Sequence, residues 1–92
     1  MNDLGNTQSF AAYQDRKLSV SDILKEVHAA LEAKGYKPVN QIVGYIMSGD
    51  PTYITSYNGA RLLISKVERD ELLEELLQTY INVNIKGKKD RP

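Results

Sequence analysis

The side chains in this chain that could do chemistry are one histidine, one run of carboxylates and six tyrosines. His28 has Glu26 and Glu32 near it in sequence. A histidine with a carboxylate partner is the usual acid–base pair, but its partner must orient the imidazole toward a substrate. Glu32 can only reach back to His28 as an i,i+4 neighbour on one helix, which is a surface contact. Glu68, Asp70, Glu71, Glu74 and Glu75 make the second group. Glu71 and Glu75 share a helix face and could share a cation, yet the Glu-x-x-His unit of helical-bundle metal sites is missing. Acidic residues in the first turns of a helix are explained by the helix dipole, with Lys66 and Asp70 as a further i,i+4 pair. The sequence therefore predicts no catalytic residue, no metal ligand and no cofactor.

Binding chemistry is also thin. Ser48-Gly49-Asp50-Pro51 has one glycine and places an anionic side chain where a phosphate would sit, so it is not a phosphate loop. Tyr36, Tyr45, Tyr53 and Tyr57 fall at helix ends and turns, where aromatic rings complete small cores. A helix-turn-helix unit is the alternative reading, making the chain a small nucleic-acid-binding regulator. Against it, the middle of the chain offers only Arg61, Lys66 and Arg69, and the basic residues from 86 to 91 lie in an end segment. Twelve basic and twelve acidic residues cancel, so no global field draws in nucleic acid or an anionic membrane.

The elements that would position these groups are helices. Ser19 caps the first, with Asp22 in its first turn. Val20, Ile23, Leu24, Val27 and Leu31 follow at three- and four-residue steps, and Gly35 stops it. Pro38 opens a second helix with an apolar stripe of Val39, Ile42, Val43, Ile46 and Met47, closed by Gly49. Asp50-Pro51 starts a short third helix that Asn58-Gly59 interrupts. From Gly59 the apolar phase set by Leu63 and Val67 breaks near Arg69-Asp70. Asp70 is the expected cap of a fifth helix, whose apolar residues are Leu72, Leu73, Leu76, Leu77, Tyr80 and Ile81. The expectation is an all-α, compact five-helix domain over 18–82, between a flexible N-terminal arm (1–17) and a flexible C-terminal tail (83–92). The alternating Ile81, Val83 and Ile85 are too few to make a sheet.

About 65 ordered residues make a marginal core, and the chain has no cysteine to staple it. A homodimer is the simplest remedy. Gly44, in mid-helix, suggests close approach of another helix. The last helix is apolar on both the 72/76/80 and 73/77/81 rows, wider than one neighbour needs. Leu73, Leu77 and Ile81, with Gly44, are the expected dimer interface; a helix buried deep in the monomer is the other explanation. No apolar run has the length of a membrane span and no signal-peptide pattern opens the chain, so a cytoplasmic protein is expected.

The wording between residues 35 and 57 is more specific than its composition. GYKPVNQIVGYIMSGDPTYI, followed by Ala60-Arg61 and ERDELLEELLQTYI, resembles the IreB/ReoM family of small regulatory phosphoproteins from low-GC Gram-positive bacteria. The resemblance runs from about Leu18 to Ile81. It implies an all-helical, non-enzymatic, cytoplasmic homodimer, with no membrane or nucleic-acid partner. It further implies a substrate of a membrane-anchored PASTA-type Ser/Thr kinase and its cognate phosphatase. Such proteins couple cell-wall sensing to peptidoglycan synthesis and antibiotic tolerance, in some members through proteolytic machinery acting on an early precursor enzyme. The family's phosphorylated threonine lies ahead of the first helix with an aromatic residue close behind. Thr7, followed by Phe10, matches it, with Ser9 the competitor. A downstream protein partner is implied around segment 50–61 and the following helix, where Arg61, Arg69, Tyr53 and Tyr57 are the candidate contacts. A phosphate on Thr7 would then dock the arm on Arg61 or Arg69, or repel it from the carboxylates at 70–75. The chain departs from the family pattern at Thr55-Ser56, Gly59 and Ser65, where many members have Pro-Arg, an acidic residue and Arg.

Overall fold

Ser19 begins the fold with a reciprocal cap. Its hydroxyl accepts the Asp22 N–H at 3.0 Å, and the Asp22 carboxylate accepts the Ser19 N–H at 3.4 Å. From it runs α1 (Val20–Ala33). In the computed structural model, which describes residues 18–87, α2 (Pro38–Ser48), α3 (Ala60–Ile64) and α4 (Arg69–Ile81) follow. Two single 3-10 turns, Pro51–Tyr53 and Tyr57–Gly59, separate α2 from α3. The described residues are all helix, turn and loop, with no strand.

Among the described residues four α-helices stand where five helices were expected. The Asp50-Pro51 start is real: Asp50 Oδ1 accepts from the Thr52 N–H at 3.0 Å and the Thr52 hydroxyl at 2.7 Å. The helix it opens stops after one 3-10 turn, because Ile54 is extended and turned fully inward. A second difference is the cap of α4, which is Glu68 rather than Asp70. The Glu71 carboxylate reaches back to the Glu68 N–H at 3.0 Å, a geometry that places Asp70 inside the first turn. Lys66 lies outside α4, so no helical Lys66–Asp70 pair forms. Beyond Ile81 the last helix continues through a π-helical turn, Asn82–Lys86, whose residues from Val83 on were expected in the tail.

α1 is the central element, packing against α2, α3, α4 and the Tyr57–Gly59 turn. Ile23, Val27, Ala30 and Leu31 from α1 meet Tyr45, Ile54, Ala60, Ile64, Val67 and Leu72 in one core. Chain reversals depend on left-handed backbone at Gly49 (φ 76°) and at the consecutive Asn58 (φ 54°) and Gly59 (φ 71°).

Candidate functional site

The apolar stripe of α2 does not enter the core as a unit. Ile42 and Ile46 are half-buried and Tyr45 is buried, while Val39, Val43 and Met47 are 70%, 52% and 78% exposed. Six apolar or aromatic residues on three turns cover more of a helix than one neighbour can bury. The core takes the Tyr45 side because Ile23, Ile54 and Leu72 lie there with it.

α4 is split in the same way. Leu72 is fully buried, yet Leu73 and Leu77 are 55% and 57% exposed, and Leu76 and Tyr80 also stay exposed. Ile81 is half-buried. Of the residues expected at a dimer interface, Leu73 and Leu77 thus lie on an open apolar row. Gly44 is different, because the position a Cβ would occupy there lies against the Tyr53 ring, closer than a Cβ can come. The close neighbour that excludes a side chain at Gly44 is an aromatic ring from the next turn of the same chain, not a passing helix.

Segment 50–61 is held from three directions. Gln41 Nε2 donates to the Tyr53 carbonyl at 3.0 Å, and Arg61 Nε donates to the Ile54 carbonyl at 2.8 Å. Lys34 places its ammonium 5.2 Å from the centre of the Tyr57 ring, an exposed cation–π contact. Asp50 is held below the usual carboxylate range, first by the Thr52 backbone N–H, then by the Thr52 hydroxyl, with Arg61 adding a weaker favourable field against slight desolvation. Arg69 lies across Gly49, and its Nη1 donates to the Ile46 carbonyl at 2.9 Å. Arg61, Arg69, Tyr53 and Tyr57 are therefore brought to neighbouring turns, and both guanidinium groups already bond main-chain carbonyls. Sequence inspection missed that anchoring; the signal available was an arginine following each helix-ending turn.

His28 stands 4.0 Å from Glu32 on the surface of α1, in the expected i,i+4 arrangement. Glu71 is engaged in the α4 cap, and Glu75 accepts from the Thr79 hydroxyl at 3.0 Å. Among the described residues no helix is long and apolar enough to cross a membrane. Thr7, Ser9 and Phe10 lie outside the described residues.

Residues 5–82 match the family described as IreB regulatory phosphoprotein. The chain belongs to the IreB family. It is also 56% identical over 86 residues to a UPF0297 protein of Lachnoclostridium phytofermentans, covering 94% of this chain and 98% of that one. The IreB match begins ahead of α1 and ends just past α4, so it takes in Thr7, both arginine anchors and the open row of α4. The family is one of regulatory phosphoproteins, which gives this chain a regulatory role.

Proposed function

We propose that this chain is a non-enzymatic adaptor in the cytoplasm, phosphorylated at Thr7 by a membrane Ser/Thr kinase. It carries cell-wall status to the control of peptidoglycan synthesis and antibiotic tolerance through a downstream protein partner, with proteolytic machinery as the effector. The observation that carries this reading is membership of the IreB regulatory phosphoprotein family over residues 5–82, a span that includes Thr7. Thr7 precedes the capped start of α1, whereas Thr52 already donates to Asp50 and Thr55 accepts the Tyr57 N–H. A phosphate adds about −1.5 to −2 charges to a chain that is otherwise neutral. Two copies are proposed to associate through Leu73, Leu77 and Ile81, a row whose leucines are more than half exposed in one chain. The rigid turns bearing Tyr53, Tyr57, Arg61 and Arg69 supply the surface for the downstream partner.

Incubating the purified chain with a PASTA-type kinase and mapping the modified residue tests the site. Label is expected on Thr7 and is lost in Thr7→Ala. Label that persists undiminished in that variant, or that maps to Ser9, overturns the assignment. A pull-down comparing the unmodified and phosphorylated chain then identifies the partner that phosphorylation gains or releases.

A further inference from the structure

An open groove of about 480 Å³ runs between α1 and α4. Leu24, Leu76 and Tyr80 give it an apolar floor, while Lys25 and His28 stand on the α1 wall. A second, shallower hollow adjoins the start of α1, where Val20 meets Glu71, Glu74, Glu75 and Gln78. Early residues of α1 thus face early residues of α4 and later face later. The two helices run in the same direction, with the acidic end of the groove beside Ser19, where the preceding chain departs.

The residues that precede that point have the complementary order. Arg16 and Lys17 come last, Asp15 before them, and Phe10 and Tyr13 are the nearest aromatics. Laid back along the groove, Lys17 and Arg16 meet the carboxylates of Glu71, Glu74 and Glu75. The five residues from Lys17 to Tyr13, four steps of chain, can span about 13 Å when extended. The rise of α1 from Val20 to His28 is about 12 Å, so a stretch of that length has the reach to bring Tyr13 over Leu24, Leu76 and Tyr80.

We propose that the groove between α1 and α4 is the seat of the chain's own segment 10–17. Arg16 and Lys17 pair with the acidic end, and Tyr13 fills the apolar floor. The seat uses Leu76 and Tyr80, leaving the Leu73–Leu77 row of α4 for a second copy. This goes beyond the adaptor reading and does not depend on which residue is phosphorylated.

The chain has no cysteine, so Ser9→Cys accepts a single nitroxide in the full-length protein. With the ¹⁵N-labelled chain, the amides of Leu24, His28, Leu76 and Tyr80 are expected to lose most of their intensity, recovered on reduction with ascorbate. The loss should disappear in Tyr13→Ser/Arg16→Glu/Lys17→Glu and in Glu74→Lys/Glu75→Lys, where Glu74 is exposed and Glu75 half-buried outside the core. Broadening centred on the first turn of α1 and unchanged by either set reports only the tether, and overturns the proposal. So does broadening of the same groove amides when nitroxide-bearing unlabelled chain is mixed with ¹⁵N chain lacking the nitroxide, since a second copy then fills the groove.

Discussion

Arg69, the first residue of α4, donates from Nη1 to the Ile46 carbonyl of α2 at 2.9 Å and covers Gly49. One side chain thus satisfies a carbonyl in the last turn of a neighbouring helix and sets its cation at the negative end of that helix. Arg69→Ala is expected to lower stability by about 1 kcal/mol. Gly49→Ala should lose about 1 to 2 kcal/mol from left-handed backbone, with a further loss because the new Cβ would lie 2.9 Å from the Arg69 guanidinium carbon. Urea unfolding of the two single variants and the double variant should show the second loss shrinking once Arg69 is gone.

Gly44 and Tyr53 make a sharper test because the sign reverses. In the native background Gly44→Ala forces the Tyr53 ring aside, which costs about 1–3 kcal/mol. With Tyr53→Ala already present, the same change should stabilise by about 1 kcal/mol, the helix preference of alanine over glycine. Thermal or urea unfolding of the four-member cycle reads both values. A destabilisation of equal size in both backgrounds would show that the ring is not what excludes the side chain.

Leu73→Ser and Leu77→Ser should turn a dimer into a monomer while leaving the helical circular dichroism intact, since neither residue belongs to the core of one chain. Each substitution acts twice in a two-fold interface, and each leucine has little more than half of its surface left to bury, so about 2 to 3 kcal/mol of association is at stake per position. Light scattering at micromolar concentration checks it. A native chain that already has the mass of one copy removes the dimer from the reading.

The Asp50 carboxyl should titrate below the ordinary aspartate midpoint, because its charged form accepts the Thr52 N–H and hydroxyl. A lowered folded-state pKa contributes stability above the unfolded pKa and loses it as pH falls through the folded value. Carboxyl-carbon chemical shifts followed from neutral to acid pH report the midpoint. Thr52→Ala should raise it part of the way, leaving the main-chain bond in place. An unmoved midpoint would assign the whole effect to that N–H.

The sequence was most legible where local chemistry decides structure. Ser19, Pro38, Gly49 and Asp50 each cap, open or close the element expected of them, since such signals need only a few neighbouring residues. It was least legible where two elements compete for one face. The apolar period of α2 shows an amphipathic helix, but only the placement of Ile54 and Leu72 turns Tyr45 inward and leaves Val43 and Met47 outside. The short third helix was misjudged for a related reason: Ile54 packs better as an extended plug than as a helical residue. Arg61 and Arg69 were legible as candidate partner contacts but not as anchors, because hydrogen bonds to distant main-chain carbonyls leave no periodic mark. The family resemblance ran from about Leu18 to Ile81, the IreB match extends from 5 to 82, and the candidate phosphorylation site rests on membership of that family.

Ile54 has one more consequence. It is fully buried between two turns, its carbonyl is gripped by Arg61, and the adjoining Tyr53 ring closes over Gly44. The segment therefore enters any encounter already in its final shape, with little conformational entropy left to surrender. A partner that recognises it meets a template rather than a hinge. Association there should be limited by collision and orientation, and variants should change how long the complex lasts more than how fast it forms.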